Sequence, residues 1–246
     1  MSLPKIDLPT FELTLPSNNK KIRFRPFLVK EEKILLMAME SEKEKDIMDA
    51  TKQIINNCSL DPINVDDMPL FDVEYFFLNL RARSVNEIIE ARYKCNNIVT
   101  DKDEQKECSN ILKLDINLLE ISIPKNPNHS SKISLSKDIG VQMRYPKMSL
   151  LESNQSINNV SSIEYAFNYI ADCIEYIYDK ETVYYSKDVD KKEIITFIES
   201  LTSDQFKKIE EFFDTIPKLE KTFDIKCEKC GFDHKIVMEG LQSFFG

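Results

Sequence analysis

The stretch Cys227-Glu-Lys-Cys-Gly231, near the end of the 246-residue chain, has the pattern of a metal-binding knuckle. Two cysteines with two residues between them can direct both thiolates at one ion, and the glycine after them can adopt the positive φ that turns the chain outward. The flanking residues 222–226 and 232–238 alternate between apolar and polar side chains, which is typical of strands. A strand, a knuckle and a second strand form half of a zinc ribbon, which provides two of the four ligands of a structural zinc ion.

The other two ligands are predicted to be Cys95 and Cys108, which also lie between strand-like segments. Residues 88–94 precede the first of these cysteines, residues 111–116 follow the second, and a polar loop without hydrophobic period, 96–107, separates them. A hairpin held at its base by two cysteines would be the first half of the ribbon. The sequence therefore predicts a zinc site that ties the middle of the chain to its end and consists of Cys95, Cys108, Cys227 and Cys230.

Other interpretations of these cysteines stay open, because Cys95 and Cys108 are farther apart than the cysteines of a short knuckle. These two could be free thiols, and the Cys227–Cys230 pair could form a bare turn or a redox couple. A redox couple of the thioredoxin type sits at a helix N-terminus, where the dipole lowers a thiol pKa, and no helical pattern follows Cys230. His234 could replace one thiolate, although its place in a strand favours an ordinary exposed side chain.

Composition and charge limit the classes of function. The net charge of −9 argues against a general nucleic-acid binder and against attachment to anionic membranes, because both rely on Lys and Arg. No apolar run is long enough to span a bilayer, and no apolar signal segment follows the N-terminus, so we expect a cytosolic protein. Six cysteines fit a reducing compartment with metal better than a disulfide framework.

The residue types that an enzyme needs form no recognisable pattern. With four glycines, the chain has no GxGxxG, Walker A or GxSxG motif. Its two histidines lie far apart in the sequence, and the acidic pairs at 31–32 and 66–67 are interpreted as solvated faces. A zinc ion with four thiolate ligands has no open position for a substrate. We therefore predict a non-enzymatic protein without catalytic residues.

Hydrophobic periodicity predicts an α+β fold in three regions that we expect to form one compact unit. Residues 1–84 carry a β-hairpin and helices, residues 85–146 an antiparallel β region with the first ribbon half, and residues 147–246 helices and the second ribbon half. The remaining predicted elements are strands at 11–15, 21–25, 121–123, 133–135 and 141–143, and helices at 27–39, 42–58, 71–83, 162–178, 186–199 and 203–216, the last with Ser203 as N-cap.

The sequence also predicts which of several single residues are buried and which are exposed. Cys58 and Cys173 lie on the apolar faces of helices and are expected in the core. The loop 124–132, which carries His129, is expected to be exposed. The apolar pair Phe244-Phe245 is either docked on its own domain or available to a partner.

A further set of stretches, spread over most of the chain, carries a family resemblance. They are the hairpin leading to Arg23-Phe-Arg-Pro-Phe27, then Lys30–Leu36, Asp72–Ser84, the hairpin at Tyr93-Lys-Cys95, and Cys227–Gly231 with the terminal phenylalanines. In the same order, they resemble the T4-type phage baseplate hub assembly proteins. The resemblance implies a non-enzymatic protein of a contractile-tailed phage that acts in building the central hub of the baseplate.

The resemblance also implies partners and a location. The family includes structural components and assembly catalysts, so the protein is expected in the cytoplasm of the infected host or in the tail baseplate of the virion. Its partners would be other hub proteins, without nucleic acid or membrane, and its oligomeric state stays open. The alternatives are a zinc-ribbon regulatory protein that binds polymerase or nucleic acid, against which the acidic charge argues, and an oxidoreductase that uses the Cys227–Cys230 pair.

Overall fold

The protein combines helices with antiparallel strands, which confirms the predicted α+β class. A computed structural model describes residues 6–101, 104–150 and 162–244. The elements in chain order are β1 (Phe11–Thr14), β2 (Lys21–Phe24), α1 (Val29–Glu40), α2 (Glu44–Cys58), α3 (Leu70–Ser84), β3 (Ile88–Lys94), β4 (Ile98–Asp101), β5 (Glu104–Glu107), β6 (Ile111–Asn117), β7 (Lys132–Ser134), β8 (Gly140–Met143), α4 (Ser162–Cys173), β9 (Ile174–Tyr178), β10 (Val183–Tyr185), α5 (Lys191–Glu199), α6 (Ser203–Asp214), β11 (Glu220–Lys226) and β12 (Asp233–Glu239).

The chain divides into two compact units, each assembled from separate segments. The first unit consists of residues 1–63, 71–123 and 218–246, and the second of residues 64–70 and 124–217. The division into three consecutive regions made from the sequence stays a prediction. In the described parts of the chain, none of the helices is both long and apolar enough to cross a membrane.

The first unit has an aromatic core on α3. Phe71, Phe76 and Phe77 are buried on this helix. The ring of Phe24, which ends β2, lies 5.4 Å from the ring of Phe76, so the N-terminal hairpin packs on α3. Cys58 is fully buried, which confirms its assignment to the core. Each buried phenylalanine stabilises the fold by roughly 1.5–3 kcal/mol, because its apolar surface is removed from water.

The end of the chain also packs on the first unit. Phe244, in the short 3-10 turn Leu241–Phe244, is fully buried, so this member of the terminal apolar pair is docked on its own unit. The turn is held by the Leu241 N–H, which donates to the carboxyl of Glu74 on α3 at 3.2 Å. The second member of the pair, Phe245, lies outside the described residues.

Glu31, in the first turn of α1, is buried, so its interpretation as part of a solvated face is wrong. Its carboxylate accepts hydrogen bonds from the Leu28 backbone N–H at 2.9 Å and from Arg25 Nη2 at 3.1 Å. A helix start leaves N–H groups without partners, and a carboxylate at this position satisfies one of them. The arginine that neutralises Glu31 lies immediately after β2.

The second unit is a four-stranded antiparallel sheet covered by helices. Its strand order is β10-β9-β8-β7. The core includes Cys173, as expected, and one apolar residue or more from each of β8, β9, α5 and α6. The buried members on these four elements are Val141, Met143, Ile174, Ile194, Ile198, Ile209 and Phe212.

The helix predicted over 162–178 is wrong in its last five residues, 174–178. The helix α4 ends at Cys173, and the chain continues directly as β9, which pairs with β8 on one side and β10 on the other. Apolar residues at 173, 174 and 177 fit a helical period, and those at 174, 176 and 178 fit the alternation of a strand, so the pattern alone could not separate the two. The isoleucines and tyrosines of β9 favour a strand, and pairing with two neighbours decides the outcome.

Smaller corrections concern element ends. Residues 121–123, predicted as a strand, follow a short 3-10 turn and form no strand. The helix predicted from 186 begins at Lys191, because the Asp190 side chain accepts a hydrogen bond from Lys192 N and caps it. The N-cap of α6 is Thr202 rather than Ser203, and Thr202 forms a reciprocal capping box with Gln205.

His129, expected in an exposed loop, is partly buried. Its ring lies 5.4 Å from the ring of Tyr145 and 5.0 Å from that of Phe212, and its Nδ1 lies 2.9 Å from Thr215 Oγ1. The rest of loop 124–132 is mainly exposed, as predicted. The histidine thus anchors an otherwise solvated loop on α6.

Candidate metal centre

The second cysteine pair sits in a regular hairpin. The strands β11 and β12 pair without a shift, from Glu220 opposite Glu239 to Lys226 opposite Asp233. The turn closes through the Cys227 N–H, which donates to Phe232 O at 2.8 Å, and the Gly231 N–H, which donates to Cys227 O at 2.8 Å. Gly231 has a φ of 75°, so glycine is needed here for its backbone conformation. This geometry confirms the two predicted strands and the tight turn between them.

The first pair, Cys95 and Cys108, sits at the base of a second hairpin formed by β3 and β6. Two backbone hydrogen bonds close this base: Cys95 N donates to Asn110 O at 2.7 Å, and Cys108 N donates to Asn97 O at 2.8 Å. The intervening residues are not the predicted loop, because β4 and β5 form a hairpin of their own beyond the base. The β4–β5 hairpin takes up the wide spacing in sequence, and the sulfur atoms of Cys95 and Cys108 lie within 4.8 Å of each other.

The two hairpins bring all four predicted cysteines together. Their sulfur atoms lie within 4.8 Å of one another, with 3.6 Å between Cys95 and Cys230 and 3.8 Å between Cys108 and Cys227. Zn–S bonds of about 2.3 Å in a tetrahedron place sulfur atoms about 3.8 Å apart, so the cluster has the size of a zinc site. The thiols are free, and three of them are buried.

The surroundings of the cluster favour thiolates on the knuckle side. Hydrogen bonds from the backbone N–H groups of Cys230 and Lys229 lower the pKa of the Cys227 thiol to about 6. Burial has the opposite effect on the first hairpin, where it raises the pKa of Cys95 to about 12. A divalent cation at the centre of the cluster would supply the positive charge that the thiolate form of Cys95 needs.

Three side chains besides the four cysteines also reach the sulfur atoms. His234 Nε2 lies 3.1 Å from Cys95 Sγ, so the expectation of an ordinary exposed histidine is wrong. Asn97 Nδ2 donates to Cys230 Sγ at 3.5 Å, and Asn110 Nδ2 donates to Cys227 Sγ at 3.6 Å. The signal available in the sequence is the repeated Cys-x-Asn, since each asparagine follows a cysteine of the first hairpin by two residues.

Comparison with known proteins agrees with the resemblance found in the sequence. The family model described as T4 bacteriophage base plate protein matches residues 8–246. The baseplate hub assembly protein gp26 of Enterobacteria phage T4 is 25% identical over 228 residues, which cover 92% of this chain and 93% of the relative. No solved structure matches the chain. The family and the relative support a structural or assembly role in the phage baseplate, and the chain belongs to the family of T4 bacteriophage base plate proteins.

Proposed function

We propose that the protein helps to build the central hub of the phage baseplate through protein–protein contacts, without catalysing a reaction. The observation that carries this proposal is the match of the family over residues 8–246, together with a relative that is named as a hub assembly protein. The partners would be other hub proteins. The protein would act in the cytoplasm of the infected host, in the finished baseplate, or in both.

The cysteine cluster supports a structural zinc ion as part of this proposal. Four thiolates fill a tetrahedral shell, so the ion would join the two hairpins and leave no position for a substrate. The two hairpins come from residues 88–117 and 220–239, which are distant in sequence. Zinc would therefore contribute directly to the folding free energy of the first unit. Its role would be to hold the two hairpins together.

The zinc part of the proposal can be tested by metal analysis of protein purified without chelators. We expect one zinc ion per chain in the wild type and a loss of zinc in the double variant Cys227→Ser/Cys230→Ser. The matched control is Cys58→Ala, which changes a buried cysteine outside the cluster and should keep the metal. Wild-type protein without stoichiometric metal would contradict the zinc site and leave the hub role to be judged separately.

The hub role itself can be tested by isolating tagged protein from infected cells and identifying its partners by mass spectrometry. We expect baseplate hub proteins among the partners. Presence in purified particles would make the protein a component, and absence would make it an assembly factor. Capture of RNA polymerase subunits in place of hub proteins would contradict the proposal and favour a regulatory zinc-ribbon protein.

A further inference from the structure

The side chains around the cysteine cluster follow a pattern that the four ligands alone do not explain. Asn97 and Asn110 belong to the first hairpin, and they donate to the sulfur atoms of Cys230 and Cys227 on the second hairpin. In the opposite direction, His234 of the second hairpin lies against the sulfur of Cys95 on the first. Every one of these three contacts therefore crosses from one hairpin to the other.

With Cys95 as a metal-bound thiolate, His234 would be a hydrogen-bond donor in this arrangement rather than a ligand. The ligand atoms that lie within 4.8 Å of one another are those of the four cysteines, and Nε2 of His234 is not among them. A thiolate offers only lone pairs, so at 3.1 Å the ring nitrogen must carry a proton for the contact to be favourable. Phe232 fixes the ring, because the two ring centroids lie 4.8 Å apart in an edge-on arrangement.

We propose that Asn97, Asn110 and His234 are positioning residues of the metal centre. Their three side-chain contacts to sulfur are called the N–H···S shell below. This inference rests on the proposed zinc site. Four thiolates around a divalent ion carry a net negative charge, and donors aimed at sulfur stabilise that charge in a partly buried place. Each of these contacts joins the two hairpins, so the hairpins can separate only if the shell and the metal bonds break together. This coupling would slow the loss of metal.

The inference is tested with substitutions that remove an N–H group and keep the size of the side chain. Asn97→Asp and Asn110→Asp replace the donor with a carboxylate beside a thiolate. Asn96→Asp is the matched control, because it makes the same change at the neighbouring exposed residue. Outer partners of metal ligands typically change metal affinity about 10–100-fold, so we expect zinc binding to weaken about tenfold or more in each shell variant and to stay unchanged in the control.

A second measurement separates the shell from general loss of stability. In protein loaded with saturating Co²⁺, the sulfur-to-metal charge-transfer band reports the energy of the sulfur lone pairs, which an N–H donor lowers. Loss of a donor should therefore shift the band to lower energy while the tetrahedral visible bands persist. Asn97→Leu and His234→Phe, which leave no donor, should show the shift without an added charge. His234→Gln, which keeps an N–H donor, should restore part of the wild-type spectrum.

The outcomes distinguish this inference from the proposal on which it rests. If wild-type protein binds neither Zn²⁺ nor Co²⁺ stoichiometrically, the metal site itself is wrong. If the wild type binds one ion and Asn97→Asp, Asn110→Asp and His234→Phe match Asn96→Asp in affinity and in band position, the metal site stands and the N–H···S shell is refuted. A variant that fails to fold as the apo protein is still decided by its spectrum once Co²⁺ has been added.

Discussion

Replacement of Glu31 by alanine should destabilise the first unit by about 3 kcal/mol. Loss of the hydrogen bond to Leu28 N removes the helix cap, which costs about 1 kcal/mol. Removal of one partner from a fully buried ion pair costs about 3–5 kcal/mol. Arg25 is 16% exposed and keeps hydrogen bonds to the carbonyls of Pro26 and Asn57, both 2.9 Å long, so we assign about 2 kcal/mol to the broken pair.

Urea unfolding of the purified protein, extrapolated linearly to water, gives the free energies that this prediction needs. Glu31→Gln keeps an oxygen for the Leu28 N–H and loses only the charge, so it should cost less than alanine, about 2 kcal/mol. Glu32→Ala is the matched control on the exposed side of the same turn and should cost less than about 0.5 kcal/mol. Equal stabilities of Glu31→Ala and Glu32→Ala would show that the buried carboxylate neither caps α1 nor pairs with Arg25 to any effect.

The buried Glu31 carboxylate also makes the stability of the first unit depend on pH. Burial alone would raise the pKa of Glu31, but the hydrogen bonds from Arg25 and Leu28 outweigh burial and hold the pKa below its ordinary value of 4.5. The stability that the Glu31 carboxylate provides is therefore complete above about pH 4.5 and is lost as the pH falls through the lower pKa of the folded protein. The difference between wild type and Glu31→Gln should shrink over that range.

Three further predictions concern other groups. Burial raises the pKa of Glu74 to about 7. Glu74→Gln should therefore raise the free energy of unfolding by up to about 3 kcal/mol at pH 8 and change it little at pH 4. Equal effects at both pH values in urea titrations would contradict the assignment. Burial lowers the pKa of His129, so the contribution of neutral His129 to the stability of the second unit is complete above pH 6.5 and is lost as the pH falls below it. Thermal melts should show this decline in the wild type and a weaker one in His129→Phe. A Cβ at Gly140 would collide with Tyr178 Oη and the Ile133 carbonyl, so Gly140→Ala should lower the free energy of unfolding by about 1–3 kcal/mol or more in chemical denaturation. Gly231→Ala is the comparison, because its Cβ meets no atom within 4 Å and its cost comes from the positive φ alone.

The candidate site was largely predictable because its signals are local. The Cys227–Gly231 knuckle needs only a turn and two strands, and these follow from nearest neighbours in the sequence. Cys95 and Cys108 were predicted to lie together because strand-like segments flank both of them. The pairing of β3 with β6 confirms that these segments form one hairpin. The β4–β5 hairpin between them was missed, since its mixed charged and apolar residues carry no period.

The residues and elements that sequence reasoning misjudged are those whose role depends on distant partners. His234 looks like any strand residue until the first hairpin brings Cys95 to within 3.1 Å. Glu31 looks solvated until Arg25, which follows the preceding strand, covers it. The strand β9 looks helical until β8 and β10 supply hydrogen bonds on both sides. In each case, tertiary contact decides between two structures that local composition permits.

The proposed role of this protein in building the baseplate hub is tested most directly by its depletion during infection. Cells would be infected with phage that lacks the gene, and baseplate intermediates would be separated by sedimentation and viewed by electron microscopy. We expect complete hubs to be missing and wild-type protein supplied from a plasmid to restore them. Normal baseplates and tails formed without the protein would contradict the proposed role.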